Sequence, residues 1–411
     1  MPDPGAVSGL SIVGEPLTAL VDEVVDATVD VRRDFHAHPE LGFEERRTTA
    51  VIRDHLAGLG LEELPCPTDT GAVYRLSGGR AGRTVLLRAD IDALPVGEEV
   101  DVPYRSRIPG VMHACGHDGH AAMLLGVASV LAQRAEDLTG RYVLLFQPAE
   151  ELTSGGGARR MLEGGVLEGL DVERLLSCHL TSQMPTGMLA ARPGVAMSSA
   201  QSVGVRVRGS GGHGALAGAG GNAVLAIAAL TSRLPAAVEG MEYEDSECAF
   251  GTGLLRAGTA ANVVPREAVL QASLRTFTAE QRRVALDRVR VVCDEVAAEY
   301  GLDVHLDLPD PVPAVTNDAA TTGLVHQVAG ELLGVDRVFA GPPMRPSDDI
   351  AEFLARVPGC HFHVGAQPGP TLPPMHHAPD FAFDEAAMRI GMALMAGAAV
   401  RLAQSSSAVS V

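Results

Sequence analysis

The sequence predicts an α/β protein into which a smaller α+β unit is inserted. Three observations predict this. From residue 18 to 178, apolar runs of strand length alternate with helix-length periodic segments. Near residue 195 the order becomes strand, helix, strand, strand, helix, strand, as in a ferredoxin-like unit. After the proline-rich stretch 309–313 the first pattern resumes. The expected division is 1–195 for the first part of the main domain, 196–308 for the insertion and 309–411 for the second part.

Each element rests on its own pattern. Residues 18–60 read as two helices, with Leu20, Val24, Ala27, Val31 and Phe35 on the apolar face of the first and 48–59 as the second. Strands follow at 72–76 and 84–88, a helix over 117–134, a strand at 141–146 and a short apolar run at 174–178. In the insertion, 202–208 alternates apolar and polar residues, as a half-exposed strand does. A helix over 222–233, strands at 249–258 and 268–277, a helix over 279–300 and a strand at 302–308 complete it. The main domain resumes with a helix over 319–333 and a strand at 362–365. There is no internal repeat, and the tail from 404 on is of low complexity.

Composition removes several classes of function. Acidic residues outnumber basic ones 51 to 32, a net charge of −19, which disfavours nucleic acid or an anionic membrane as partner. All 32 basic residues are arginine; without lysine there is no Schiff-base, pyridoxal or Walker-type chemistry. No 18-residue apolar run occurs, and the N-terminal stretch has no basic region ahead of an apolar one. Neither a transmembrane helix nor a signal peptide is therefore expected. The six cysteines follow no framework spacing, so a reducing, cytoplasmic setting is expected.

Chemistry-bearing residues gather in a few places. The densest is Met112-His113-Ala114-Cys115-Gly116-His117-Asp118-Gly119-His120, at the start of the helix over 117–134. Cys115 and His117 suit a loop leading into that helix, whose N-terminus favours a thiolate. Glu150 and Glu151 end an apolar strand, where α/β sheets bind ligands. Two adjacent carboxylates there can divide metal binding from proton transfer. Asp90 and Asp92 follow another strand and would face one side if it continued; such an Asp commonly orients a ligating His. His179 follows a short strand, and His376-His377 precede Ala378-Pro379-Asp380-Phe381. Taken alone, the Glu-Glu pair, the two aspartates and these histidines also fit ordinary surface turns. Gly209-Ser210-Gly211-Gly212-His213-Gly214 fits a dinucleotide-binding glycine pattern. It lacks the acidic residue about 20 positions on and lies in the insertion, so no dinucleotide site is expected.

Taken together, these blocks resemble the hippurate hydrolase, aminoacylase and indole-acetyl-amino-acid hydrolase branch of the aminoacylase/carboxypeptidase metallopeptidases. The resemblance spans nearly the whole chain. It runs from Arg33-Asp34-Phe35-His36 and 39–45 through 88–95, 112–126, 146–151, 209–215, 261–265 and 358–366 to 377–381. It implies a main domain with a mixed sheet flanked by helices and an inserted ferredoxin-like dimerisation domain. It implies two divalent ions of zinc, manganese, cobalt or nickel, held by Cys115, His117, Glu151, His179 and His377. His377 is preferred to His376 because the family's H-x-P-x-F pattern starts there. Glu150 matches the general acid/base and Asp92 the aspartate that orients a ligand. His213, Asn262 and Arg275 match insertion residues that hold the substrate carboxylate or the oxyanion, His213 often across a homodimer interface. The implied activity is hydrolysis of the amide of a small N-acyl amino acid. A metallo-carboxypeptidase or dipeptidase is the alternative, and a non-catalytic ligand-binding protein a further one. Two departures bear on substrate preference. Leu216-Ala217-Gly218 stand where the family has Pro-His, and Ser347-Asp348-Asp349-Ile350 where it has Ser-Glu-Asp-Phe.

Overall fold

The structure, a computed structural model, describes residues 11–12, 14–152, 155–216, 221–371 and 374–404, with the side chains of Ile12 and Leu216 set aside. The departure at Ala217-Gly218 and the tail beyond 404 lie outside the described residues. The chain divides into two compact units. The first takes the chain up to Gly194, Thr316–Gly341 and everything from Glu352 on; the second takes Val195–Val315 and Pro342–Ala351.

The first unit opens with helices α1 (Leu17–Asp22), α2 (Val25–Ala37) and α3 (Arg46–Leu56). The periodicity read as one helix from 18 is thus split at Glu23-Val24. The second piece buries a different face from the one expected. Thr28, Arg32, Phe35 and His36 point inward, while Ala27 is exposed. The reason is electrostatic: Arg32 Nε and His36 Nδ1 reach Asp118 Oδ2 at 2.8 and 2.7 Å, and a buried charge is tolerated when paired.

Strands β1 (Glu62–Leu64), β2 (Ala72–Ser77) and β3 (Arg80–Asp90) follow, then helix α4 (His117–Ala132). Strand β4 (Thr139–Gln147), helix α5 (Gly157–Glu163) and strands β5 (Val172–Thr181) and β6 (Leu189–Ala190) complete the first pass.

The second unit contains β7 (Ser199–Arg208), the two-residue strand β8 (Gly212–His213) and helix α6 (Ala223–Arg233). Then come β9 (Ala249–Ala257), β10 (Val263–Val264), β11 (Glu267–Thr276), helix α7 (Ala279–Tyr300) and β12 (Asp303–Asp307). The long helix α7 is delimited as its sequence dictates: Thr278 and Gln281 form a reciprocal capping box, and Gly301 ends it at φ 61°. The sheet order is β9-β11-β7-β12, antiparallel throughout, and Val203, Val205 and Val207 face a core completed by α6 and α7. This is the ferredoxin-like arrangement.

Its limits differ from the expected 196–308. Residues 309–315 and 342–351 also belong to this unit, because backbone pairing ties them there: Ala200 exchanges both hydrogen bonds with Val312, and Met344 bonds Ala196 and Ser198. An amide paired in this way carries no side-chain signature that a sequence reader can see.

The chain returns for helix α8 (Ala319–Leu333), strands β13 (Val338–Phe339) and β14 (Gly359–Gly365), and helix α9 (Ala386–Gln404). The first unit's sheet has eight strands in the order β13-β6-β14-β5-β3-β4-β2-β1. Its centre, β14, β5, β3 and β4, is parallel, and the β2 and β1 edge is antiparallel. Helix α9, which the periodicity did not single out, is apolar nearly all round and long enough to cross a membrane. Here it is a core helix, with Met388, Met392, Ala396 and Ala399 fully buried. A helix hydrophobic on every side is what a central core position requires.

Candidate metal centre

Three parallel strands end side by side and define where the chemistry sits. Asp90 ends β3 in register with Gln147, which ends β4, while His179 lies near the end of β5 in register with His363 on β14. Helix α4 starts above these ends. Gly116 precedes it at φ 96°, a left-handed conformation that swings the chain from Cys115 directly into His117.

His117 is surrounded by carboxylates. Its Nδ1 lies 2.9 Å from the carbonyl oxygen of Asp92 and 3.2 Å from Asp92 Oδ1. Its Nε2 lies 3.8 Å from Asp90 Oδ2, 3.9 Å from Glu150 Oε2 and 3.9 Å from Glu151 Oε1. Among the described residues, that nitrogen is buried without a hydrogen-bond partner. Burial by itself would discharge the ring, but the Asp90 carboxylate and the Asp92 hydrogen bond outweigh it and hold His117 well above the usual histidine range. Asp92 also accepts the Glu151 backbone N–H through Oδ2 at 3.0 Å, so one carboxylate touches two of the predicted ligands. β3 ends at Asp90, yet Asp90 and Asp92 still converge on His117, from its two ring nitrogens.

Cys115 faces the other side of the site. Its Sγ is 3.6 Å from His179 Nε2 and 3.8 Å from His376 Nδ1. Burial, then the nearby Glu151 charge, push the thiol well up. His179 Nδ1 donates to the Leu180 carbonyl at 2.6 Å, leaving the Nε2 lone pair toward Cys115. Burial first, then the rings of His120, His376 and His363, keep His179 neutral. This is the protonation state a ligating imidazole needs. His377, left-handed at φ 68°, places Nε2 3.1 Å from Glu151 Oε1, and its backbone N–H bonds the Ala114 carbonyl.

The five predicted ligands therefore come together. Cys115, His117 and His179 form one group, and Cys115, Glu151 and His377 a second. His117, Glu150 and Glu151 form a third, with the donor atoms of each group within 4.8 Å of one another. Two groups sharing Cys115 fit two adjacent cations. The thiol, imidazole and carboxylate donors, with the buried His117 Nε2 unpartnered among the described residues, suit borderline divalent ions.

Two residues of the same loops behave differently from what their spacing implies. His120 is not available as a donor: Nδ1 bonds Asp90 Oδ1 at 2.6 Å and Nε2 accepts the Leu180 N–H at 2.9 Å. His376, set aside in favour of His377, packs on Cys115 and on the Phe381 ring, 4.7 Å away, and burial, then the neighbouring His120 and His377 rings, lower it to about 4. Arg88 is a further residue whose role spacing does not reveal. It is buried and donates to Asp90 Oδ2 at 2.7 Å and to Gln147 Oε1 at 2.8 Å, tying two strand ends together. An arginine inside the apolar run Val85-Leu86-Leu87-Arg88-Ala89 was the visible sign of it.

In the second unit, His213 is exposed on β8, which pairs with β10, and Gly214 N–H bonds the Asn262 carbonyl at 2.8 Å. His213 and Asn262 are thus held together by a two-stranded ribbon. A side chain on Gly214 would press Asn262 backbone atoms at 3.2 Å. Arg275, on β11, donates to Ser347 Oγ at 3.0 Å, and Asp348 accepts the Ile350 N–H at 2.8 Å.

Fold and donor set together define a metallohydrolase-type centre at the carboxyl ends of parallel strands. Residues 86–401 match the model of peptidase family M20/M25/M40. The chain is 36% identical over 392 residues to YhaA of Bacillus subtilis, named as an amidohydrolase, covering 95% of this chain and 98% of that one. It is 40% identical over 287 residues to the N-acyl-L-amino acid amidohydrolase of Geobacillus stearothermophilus, covering 70% and 77%. Among solved structures, a dinuclear metal-binding peptidase of the M20 family from Bacillus subtilis superposes with a TM-score of 0.78 at 29% identity, covering 93% of this chain and 99% of that one. The chain belongs to peptidase family M20/M25/M40.

Proposed function

We propose that the protein is a metal-dependent amidohydrolase that cleaves the amide bond of a small N-acyl amino acid. The observation that carries the reading is the pair of donor groups sharing Cys115, with Glu150 beside them at His117. The named activity of the Geobacillus relative supports the same substrate class.

Cys115, His117, Glu151, His179 and His377 would hold the metals, and two divalent cations bound there would supply Lewis-acid polarisation of the amide carbonyl and a lowered pKa for water. Glu150 takes the proton of the attacking water and returns it to the amine as the C–N bond breaks, giving a carboxylate and a free amino acid. Asp92 fixes the His117 ring through Nδ1 and the Glu151 backbone through its N–H. In the second unit, His213, Asn262 and Arg275 are assigned to the substrate carboxylate and the developing oxyanion. The reading includes a homodimer built on the ferredoxin-like units and a reducing cytoplasmic setting; six free thiols favour the latter.

The test is turnover of a panel of N-acyl amino acids and dipeptides by protein loaded with zinc, manganese, cobalt or nickel. N-acyl amino acids are expected to be hydrolysed, and chelation to abolish hydrolysis and lower Tm. Full activity in demonstrably metal-free protein would refute the mechanism, and preference for dipeptides would favour the peptidase reading.

A further inference from the structure

Glu150 and Glu151 are consecutive, yet both carboxylates come to 3.9 Å from His117 Nε2. In an extended chain, neighbouring side chains point to opposite faces. The chain must therefore turn where β4 ends, and it turns at Ala149, which has φ 53°. A non-glycine residue there is strained unless its surroundings hold it.

Those surroundings form a fitted seat. Glu45, at the start of α3 and fully buried, accepts the Ala149 N–H through Oε1 at 2.8 Å and the Thr70 hydroxyl through Oε2 at 2.7 Å. The Ala149 carbonyl accepts the Gly157 N–H at 2.9 Å. The walls are glycine where no side chain would fit. A Cβ on Gly157 would lie 1.6 Å from the Pro148 carbonyl oxygen, one on Gly71 2.6 Å from that of Phe146, and one on Gly42 3.0 Å from Ala149 Cα. Past the turn, Asp92 takes the Glu151 N–H. Two buried carboxylates from separate segments thus grip alternate amides of one loop. Among the described residues, Glu45 bonds the backbone and threonine hydroxyls around it and none of the predicted ligands.

We propose that Glu45 is a positioning residue for the metal centre: by holding Ala149 in the left-handed conformation, it turns Glu150 and Glu151 inward together. The inference rests on the functional reading above, in which Glu151 binds metal and Glu150 moves the proton.

The experiment compares wild type with Glu45→Ala, Glu45→Gln and Thr70→Val, first by titrating Zn2+ into metal-free protein against a chromophoric chelator, then by turnover. Glu45→Ala is expected to weaken Zn2+ binding and lower kcat, each about 10- to 100-fold, with KM unchanged because Glu45 is fully buried. Glu45→Gln keeps an acceptor for Ala149 N–H, and Thr70 can accept its amide, so it should behave as wild type. Thr70→Val, which removes one donor and keeps the volume, weakens Zn2+ binding in the same direction and serves if Glu45→Ala does not fold. Wild-type Zn2+ affinity in Thr70→Val and in folded Glu45→Ala overturns the proposal, as does a Gln variant as impaired as Ala. If wild type itself neither binds Zn2+ nor hydrolyses amides, the functional reading has failed instead.

Discussion

Replacing His120 tests which histidines near the strand ends hold the fold and which hold metal. Its ring is buried, with Asp90 on Nδ1 at 2.6 Å and the Leu180 N–H on Nε2 at 2.9 Å. His120→Ala removes a hydrogen bond to a carboxylate, about 1.5–3 kcal/mol, and strands the Leu180 amide, about 1–3 kcal/mol more. The expected loss is about 2.5–6 kcal/mol, far above the roughly 0–1 kcal/mol of an exposed ion pair such as Arg283 with Glu280. His120→Asn keeps a donor near the Nδ1 position and His120→Gln a polar atom near Nε2, so each should lose about half as much. Urea denaturation of metal-free protein is the assay, since ligand loss cannot contribute there, with midpoints compared at a common slope. The folded variant should still take up two metal equivalents. A loss below about 1 kcal/mol together with a missing metal equivalent would make His120 a ligand and refute the reasoning.

Two further outcomes follow from the same geometry. Glu150→Gln should retain metal and lose about 10²-fold or more in kcat, whereas Glu151→Gln should lose metal, as elemental analysis and turnover would show; reversed phenotypes would exchange the two roles. Burial pushes the Glu45 carboxyl up to about 7, so between the unfolded value and pH 7 the folded chain keeps a proton that the unfolded chain has released. Stability from this group is present below the unfolded pKa and is lost as pH rises through about 7, so Glu45→Gln should gain on wild type by on the order of 3 kcal/mol between pH 5 and pH 8. A Tm difference that stays flat across that range would contradict it.

Much of the site was legible because its parts are short and contiguous. Cys115 and His117 sit two apart at a helix start, and Glu150-Glu151 end an apolar run, so local pattern alone placed them on strand ends and loops. Strand and helix periods likewise revealed the α/β unit and the inserted α+β unit. The expected elements at 72–76, 117–134 and 279–300 correspond to β2, α4 and α7. Where burial is two-sided the periods fail, because an element apolar all round shows no face; α9 is the example.

What the sequence by itself determined, then, was the set of side chains able to hold metal and the order of elements that carries them. Only the tertiary structure decided how that chemistry is shared out. His120 is spent on Asp90 and Leu180, and His376 and His377 flank Cys115 and Glu151 separately. Arg32 and His36 are drawn inward by Asp118, 82 residues beyond His36. Glu45 grips an amide 104 residues away. Spacing along the chain reports which residues share a face. It cannot report which distant carboxylate reaches a given proton first, and in a buried site that competition assigns each residue its role.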